Sequence, residues 1–435
     1  MSVDRRRPLL AVAHGFGSVP PLQIAEAASG LCDIVWLVDE SVPESAFTCQ
    51  LLRKVGPVVN TAGLSPQEVA SLLRPYCPQG VMAYRGDDIV PLALIAEELG
   101  LSYRTREVAW RLVDKLLQRE ALRNGDVPSP LCWAVPADRS HAALEALSAA
   151  VAYPAVLKPR MANASRYATP VADAGDLVRQ IAQLPQEAGG ETGMYVEQYL
   201  PSLVTWTGER FGDYLSVESL VSSGEISHVA VTGRFPLAEP FRETGFFIPA
   251  ELPQAQLDAV LELATAALRA LEVSNGDCHT EIKLTPDGPR VIEVNGRLGG
   301  GIPEMLSQAS GVPLFELSMR AALGERVVVN RLVPCSRIGW LFEFQPPTAA
   351  RRVLSIQGLD RLARLAGVNA VFVNRAPGDE IDWRAGGGSH FIYSVSGVSA
   401  DYDGLLEINR FLHEEVSIVY EFGDSVPFDG APVSH

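Results

Sequence analysis

The 435-residue chain reads as an α/β and α+β protein, with an open parallel α/β domain first and antiparallel α+β structure after it. Three observations carry that reading. Over residues 8–105 short apolar runs alternate with helical patterns, which argues for strand–helix units in a parallel sheet. From Tyr214 onward, long alternating runs meet at turn residues, as hairpins do. From about residue 331 the pattern changes again, to strands and one closing helix.

In the first region PLLAVA, DIVWLVD, VVNTAG and GVMAY are the expected strands, and PPLQIAEAASG and SPQEVASLLRPY are helices between them. Ser65 suits an N-cap, Pro66 the first helical position, and Glu68 completes a capping box. His14, Gly15, Phe16 and Gly17 follow the first strand, where such sheets place ligand loops, but the segment lacks the third glycine of a dinucleotide fingerprint and reads as a tight turn. Residues 107–123 predict one helix with Val108, Leu112, Val113, Leu116 and Leu117 as its apolar stripe and Lys115 on or beside the polar face. Asn124-Gly125 and the prolines after it end that helix.

YPAVLKP is a strand reaching Lys158, and MYVEQYL is another. Residues 214–234 predict a hairpin turning at Ser223-Gly224, and residues 256–272 an amphipathic helix. Beyond 331, IGWLFEF, NAVFVNR and HFIYSVSG are strands and GLLEINRFLHEEV a helix, read as a separate α+β piece.

The most informative stretch runs from His279 to Gly301, HTEIKLTPDGPRVIEVNGRLGGG. Asp287-Gly288 marks a hairpin turn, so Glu281 and Glu293 can come together although they lie twelve positions apart. Asn295 shares the strand face of Glu293, and Arg297 continues the alternation. Two carboxylates and an amide oxygen are hard donors that suit Mg²⁺ held together with phosphates. An arginine fork suits a phosphate, and Gly299, Gly300 and Gly301 let backbone approach a ligand closely. The plain alternative is an acidic hairpin with a glycine-rich turn.

Composition sets limits. The net charge of −16 argues against a general nucleic-acid or anionic-membrane binder. The six cysteines form no CxxC pair, and their scatter fits buried thiols in a reducing compartment. No apolar run approaches the length of a membrane span, so a soluble cytoplasmic protein is expected.

Taken together, DKLL at 114–117, VLKP at 156–159, VEQYL at 196–200, SVE at 216–218 and IEVNGR at 292–297 resemble the ATP-grasp superfamily of carboxylate–amine ligases over residues 9–330. The HTEIK…IEVNGRLGGG form and the 331–435 extension are more similar to its L-amino acid ligase, or dipeptide synthetase, branch. The resemblance implies an N-terminal domain over 1–105, a two-lobed ATP-binding region over 106–330 with a lid lobe at about 126–205, and a C-terminal α+β subdomain over 331–435. It implies ATP with Mg²⁺, or Mn²⁺ in its place, small amino-acid-like carboxylate and amine substrates, and a homodimer among the assemblies it allows.

It also implies roles. Lys115 and Lys158 would meet ATP phosphates from the two lobes, and the strand from Glu197 through Gln198 and Tyr199 to Leu200 would hold the adenine edge. Glu197 has a solvated strand residue as its plain alternative. Glu281, Glu293 and Asn295 would hold one or two Mg²⁺ ions. Arg297 would stabilise the transferring phosphoryl group, and Gly299 to Gly301 would offer N–H groups to a substrate carboxylate. Two departures stand out: the loop over 160–169 has no glycine, and Asp213 is only a substitute for the usual ribose-binding acid. The segment FPLAEPFRETGFFIP at 235–249 reads either as a substrate pocket with Arg242 for a carboxylate or as a packed lid. His228 and His279 are either general bases for the amine or structural histidines. A purine-pathway or carboxylase-type enzyme of the same superfamily, and a nucleotide-binding regulator without ligase activity, are the alternatives for the whole chain.

Overall fold

In the computed structural model, residues 7–15, 17–43, 45–161, 167–184, 193–203, 210–329, 332–383 and 391–423 are described. Strands β1 (Leu9–Ala13), β2 (Asp33–Val38), β3 (Val58–Asn60) and β4 (Gly80–Ala83) form a parallel sheet in the order β3-β2-β1-β4. The four expected strands are all present. The sheet is covered on both sides, which explains why its strands are apolar almost throughout. Leu10, Val12 and Trp36 pack with α1 (Pro21–Ala28) and α2 (Ser45–Val55), whereas Ala11, Val35 and Leu37 pack with α3 (Pro66–Leu73) and α4 (Ile89–Leu99). The capping box of Ser65 and Glu68 forms as expected at the start of α3. Sequence reading passed over α2 and α4. In α4 the residues are apolar on most sides and Pro91 sits in the first turn, where it is tolerated, so no clear stripe announces the helix.

The single helix expected over 107–123 is two, α5 (Arg106–Arg111) and α6 (Lys115–Asn124). Asp114 makes the break. Its carboxylate caps α6 by accepting from the N–H groups of Leu116 and Leu117 at 3.0 and 3.4 Å, and it also pairs with Arg160. Lys115 is therefore the first residue of α6, and it is buried rather than on a polar face.

A small antiparallel sheet follows, ordered β5-β8-β6-β7, from β5 (Cys132–Ala134), β6 (Ala155–Pro159), β7 (Thr169–Val171) and β8 (Met194–Gln198). Helices α7 (His141–Ala150) and α8 (Ala174–Gln183) close its core through Leu144, Leu147, Leu177 and Ile181.

The largest sheet has eight strands in the order β13-β12-β9-β10-β11-β14-β17-β16. Its first five are β9 (Tyr214–Ser222), β10 (Glu225–Arg234), β11 (Gly245–Ile248), β12 (Gly276–Thr285) and β13 (Gly288–Asn295), with α9 (Gln254–Ala270) packed on one face. After α10 (Ile302–Ser310) and α11 (Leu314–Ala322), β14 (Ile338–Glu343) joins β11, and β16 (Val368–Val373) and β17 (Tyr393–Ser399) extend the sheet further. The stretch after 331, read as standing apart, thus continues the same sheet. Among the described residues after 331, β15 (Ala350–Gln357) and β18 (Ser417–Phe422) pair separately from that sheet, beside α12 (Leu359–Leu362) and α13 (Tyr402–Glu415). Among the described residues, no helix is long and apolar enough to cross a membrane.

Asp114 ties the start of α6 to Arg160 of the small sheet's strand end. Asp114→Ala removes a cap and a partly buried ion pair together, and a loss of about 2 kcal/mol is expected in urea titration.

Candidate active site

The hairpin of β12 and β13 brings the two expected carboxylates face to face. Counting outward from the turn, Thr285 pairs with Gly288 and Ile282 with Val291, a register that would set Glu281 opposite Ile292. A β-bulge intervenes, and Glu281 pairs with Glu293 instead, with His279 opposite Asn295. Glu281 Oε1 accepts from the Asn295 amide at 3.3 Å, and Glu293 forms an ion pair with Lys115 at 2.8 Å. Arg297 follows, half-buried, and donates to the Leu298 carbonyl at 3.0 Å. A Cβ on Gly299 would fall 2.6 Å from the His279 ring, and Gly301 takes φ +69° to start α10, so both positions need glycine. Gly300 is exposed between them.

Beneath this pair lies a buried polar layer. His279 meets both Glu218 oxygens at 2.8 and 3.0 Å and lies 3.5 Å from Glu281. Burial alone would lower its pKa, but Glu218 outweighs it, and Glu281 adds to the effect, so His279 is raised to about 9. These contacts favour its protonated form, which weighs against the free base considered for the amine. Burial would raise Glu281, but His279, Arg234 and Arg297 hold it down at about 2. His228 is a structural histidine between Ser219 and Thr265, with burial lowering it to about 4.

Arg234 was missed by sequence reading. It is buried, bonds to Ser216 at 3.1 Å and pairs with Glu243 at 3.4 Å, beneath the rings of Tyr214 and Phe246. A second bulge, after His228 on β10, brings it to this face, and counting from the Ser223-Gly224 turn would have placed it on the other.

On the small sheet, Lys158 pairs with Glu197, which also accepts from Arg119 at 3.0 Å and from the Tyr195 hydroxyl at 3.1 Å. Glu197 is 3% exposed, so the reading of a solvated strand residue is overturned; β8 lies inside its sheet, and α6 covers this face. Beyond it, the N–H groups of Gln198 and Tyr199 bond to the Leu131 and Pro154 carbonyls, and Leu200 is buried. The Tyr199 ring lies 6.5 Å from that of Phe241. Asp213 pairs with Lys283 at 2.6 Å. Arg242 is tied to the carbonyls of Glu239 and Pro346 and to Gln345, so its guanidinium anchors the 235–249 segment to the chain beyond β14. Of the glycine-free loop, residues 162–166 lie outside the described residues. A cavity of about 910 Å³ is lined by Leu131, Trp133, Leu263 and Arg290 among others, and none of the expected site residues lines it.

The arrangement places Lys115 on the Glu281–Glu293 pair and Lys158 on Glu197, with Arg119 reaching both Glu197 and the Ile292 carbonyl. Residues 151–304 match the family model described as the ATP-grasp domain. The whole chain superposes on an L-amino acid ligase from Bacillus licheniformis with a TM-score of 0.77 at 20% identity, covering 96% of this chain and 100% of that one. This chain has the ATP-grasp fold, and residues 151–304 are the part that matches the family model. Among curated proteins it is 27% identical over 226 residues to the alanine–anticapsin ligase of Bacillus subtilis, covering 49% of this chain and 47% of that protein. It is 26% identical over 262 residues to human carnosine synthase 1, covering 57% and 31%. The chain spans about half the length, or less, of the curated relatives it matches.

Within the ATP-grasp domain the oxygen donors fit Mg²⁺. Glu281, Glu293 and Asn295 are adjacent, hard and too few to close a coordination shell, as suits an ion shared with phosphates; among the described residues no group of three or more His, Cys, Asp or Glu forms a cage.

Glu197 offers a test of the buried charges. Burial would raise its carboxyl from the ordinary 4.5, but Lys158 and Arg119 hold it at about 2. Its contribution to stability is therefore present above about pH 4.5 and lost as pH falls toward 2. Glu197→Gln strands two cations and is expected to cost about 3 kcal/mol at neutral pH, with a flatter dependence of urea midpoint on pH across that window.

Proposed function

We propose that the protein is an ATP-dependent carboxylate–amine ligase that joins amino-acid-like substrates through an amide bond. The observation that carries this reading is the alignment of Glu281 with Glu293, beside Asn295 and Lys115. That constellation suits a nucleotide triphosphate whose terminal phosphoryl is to be moved, since such transfer needs positioning and charge neutralisation more than a protein nucleophile. The names of the alanine–anticapsin ligase and carnosine synthase relatives agree with amino-acid-like substrates.

In this reading the substrate carboxylate oxygen attacks the γ-phosphorus and ADP leaves. The amine nitrogen then attacks the acyl carbon, loses a proton, and phosphate leaves. Bound Mg²⁺ supplies charge neutralisation at the phosphates. Glu281, Glu293 and Asn295 hold it; Lys115 exchanges its ion pair with Glu293 for a phosphate, and Lys158 does the same from its pair with Glu197. The segment from Glu197 to Leu200 borders the adenine, and Asp213 the ribose, once Lys283 yields it. Arg297 faces the transferring phosphoryl and then the oxyanion of the tetrahedral intermediate. Gly299 to Gly301, at the start of α10, meet a substrate carboxylate, with charged His279 beneath. Arg242 shapes the pocket's outer wall through its bonds beyond β14.

Phosphate release should be measured with ATP and Mg²⁺ against amino acids singly and in pairs, with products weighed. Release only with certain pairs, and a product lighter than their sum by one water, is the expected result. Release without any amine-dependent product would sink the ligase reading.

Arg297→Ala should lower turnover about 10²- to 10³-fold and weaken ATP binding only modestly. Normal turnover in that variant would remove Arg297 from the reaction.

A further inference from the structure

We propose that Gln118 is a positioning residue that sets the affinity of the site for the divalent cation, an inference that rests on the Mg²⁺-nucleotide reading above. β13 is an edge strand of the large sheet, so one side of its backbone has no neighbouring strand. Helix α6 fills that place with three residues of one face, at spacings i, i+3 and i+4. The Gln118 amide donates to the Val294 carbonyl at 2.9 Å, and its oxygen accepts from the Val294 N–H at 2.8 Å. A side-chain amide thus imitates the missing strand at the one residue lying between Glu293 and Asn295. Gln118 is 1% exposed and also donates to the Arg111 carbonyl at 3.1 Å, which fixes the orientation of its amide.

The neighbouring contacts support the same role. Ile292 is the extra residue of the bulge, without a partner on β12, and its carbonyl accepts from Arg119. Lys115, one turn earlier, pairs with Glu293 itself. The helix therefore holds the bulged strand at three consecutive residues. An unsupported bulge on an open edge can slide by one residue, and a slide exchanges the two faces of the strand. Gln118 makes two of the bonds that prevent this, yet its side chain touches neither carboxylate. Its effect should appear as a preorganised donor set, and residues acting at that remove from a metal commonly change its affinity by about 10- to 100-fold.

The test compares the wild type with Gln118→Leu, Gln118→Glu and Leu122→Ala. Leu122 is fully buried on the same helix and makes none of the hydrogen bonds to the β13 edge, so its truncation loosens α6 through packing. Calorimetric ATP binding is followed across a Mg²⁺ titration, and amide exchange at Val294 is measured in metal-free, nucleotide-free protein. Gln118→Leu should raise the half-saturating Mg²⁺ about tenfold, leave metal-free ATP binding unchanged, and speed exchange at Val294. Gln118→Glu keeps the acceptor for the Val294 N–H and should show a smaller rise. Leu122→Ala should lower the melting temperature without the Mg²⁺ shift. Wild-type Mg²⁺ dependence in both Gln118 variants, or an equal shift in Leu122→Ala, would overturn the assignment. A wild type that binds ATP no better with Mg²⁺ than without overturns the nucleotide reading itself, and this assignment falls with it.

Discussion

Ile292 has no cross-strand partner, and the site is organised around that one-residue excess. On a strand, neighbouring side chains point to opposite faces. Before the bulge, Val291 of β13 faces α9 with Ile282 and Leu284 of β12. After it, Val294 faces α9, and Glu293 and Asn295 emerge beside Glu281 and His279. Without the extra residue, both would turn into an apolar layer containing Val260, Leu263 and Leu268. Burial of an unpaired carboxylate there would cost several kcal/mol. The hairpin of β9 and β10 uses the same device. Val229 is its extra residue, and the shift moves Thr232 and Arg234 from the α9 side to the side of Ser216 and Glu218. Two bulges therefore turn two ordinary half-buried hairpins into one continuous polar face.

That face holds many buried charges, which is costly unless each has a partner. Glu218 lies between His279 and Ser216, and Glu197 between Lys158 and Arg119. Arg119 joins the two groups physically, because it reaches both Glu197 of the small sheet and the bulge of the large one. Such pairs contribute little net stability against an apolar alternative, but removing one member is expensive. Their consequence is geometric: Lys115 and Lys158 are each held by an acid, Glu293 and Glu197.

Much of the architecture was legible. Short apolar runs marked all four parallel strands, alternating runs with their turn residues marked both bulged hairpins, and Ser65 with Glu68 marked the start of α3 correctly. The break between α5 and α6 was not, because Asp114 sits within an unbroken helical pattern and caps by reaching forward to the N–H groups of Leu116 and Leu117, which no periodicity reveals. The proximity of Glu281 to Glu293 was inferred from the turn. The inference reached the right pair only because a loose hairpin argument does not count residues, whereas strict counting selects Ile292. Arg234 escaped for the same reason in reverse. Gln118 and Arg119 do not stand out in the sequence, since they reach backbone carbonyls 176 and 173 positions away.

The continuity of the eight-stranded sheet bears on synthesis of the chain. β11 obtains its second neighbour from β14, about ninety residues later, and β14 obtains its own from β17, later still. As the chain emerges from the ribosome, the strands carrying Glu281, Glu293 and Asn295 are complete long before the edge at Phe246 and Phe247 is covered. An exposed apolar edge of that kind invites pairing with other chains. The last hundred residues therefore act in part as a protective cover within the same molecule, and a ribosome that stalls before β14 would release a nascent protein with its aggregation-prone edge open.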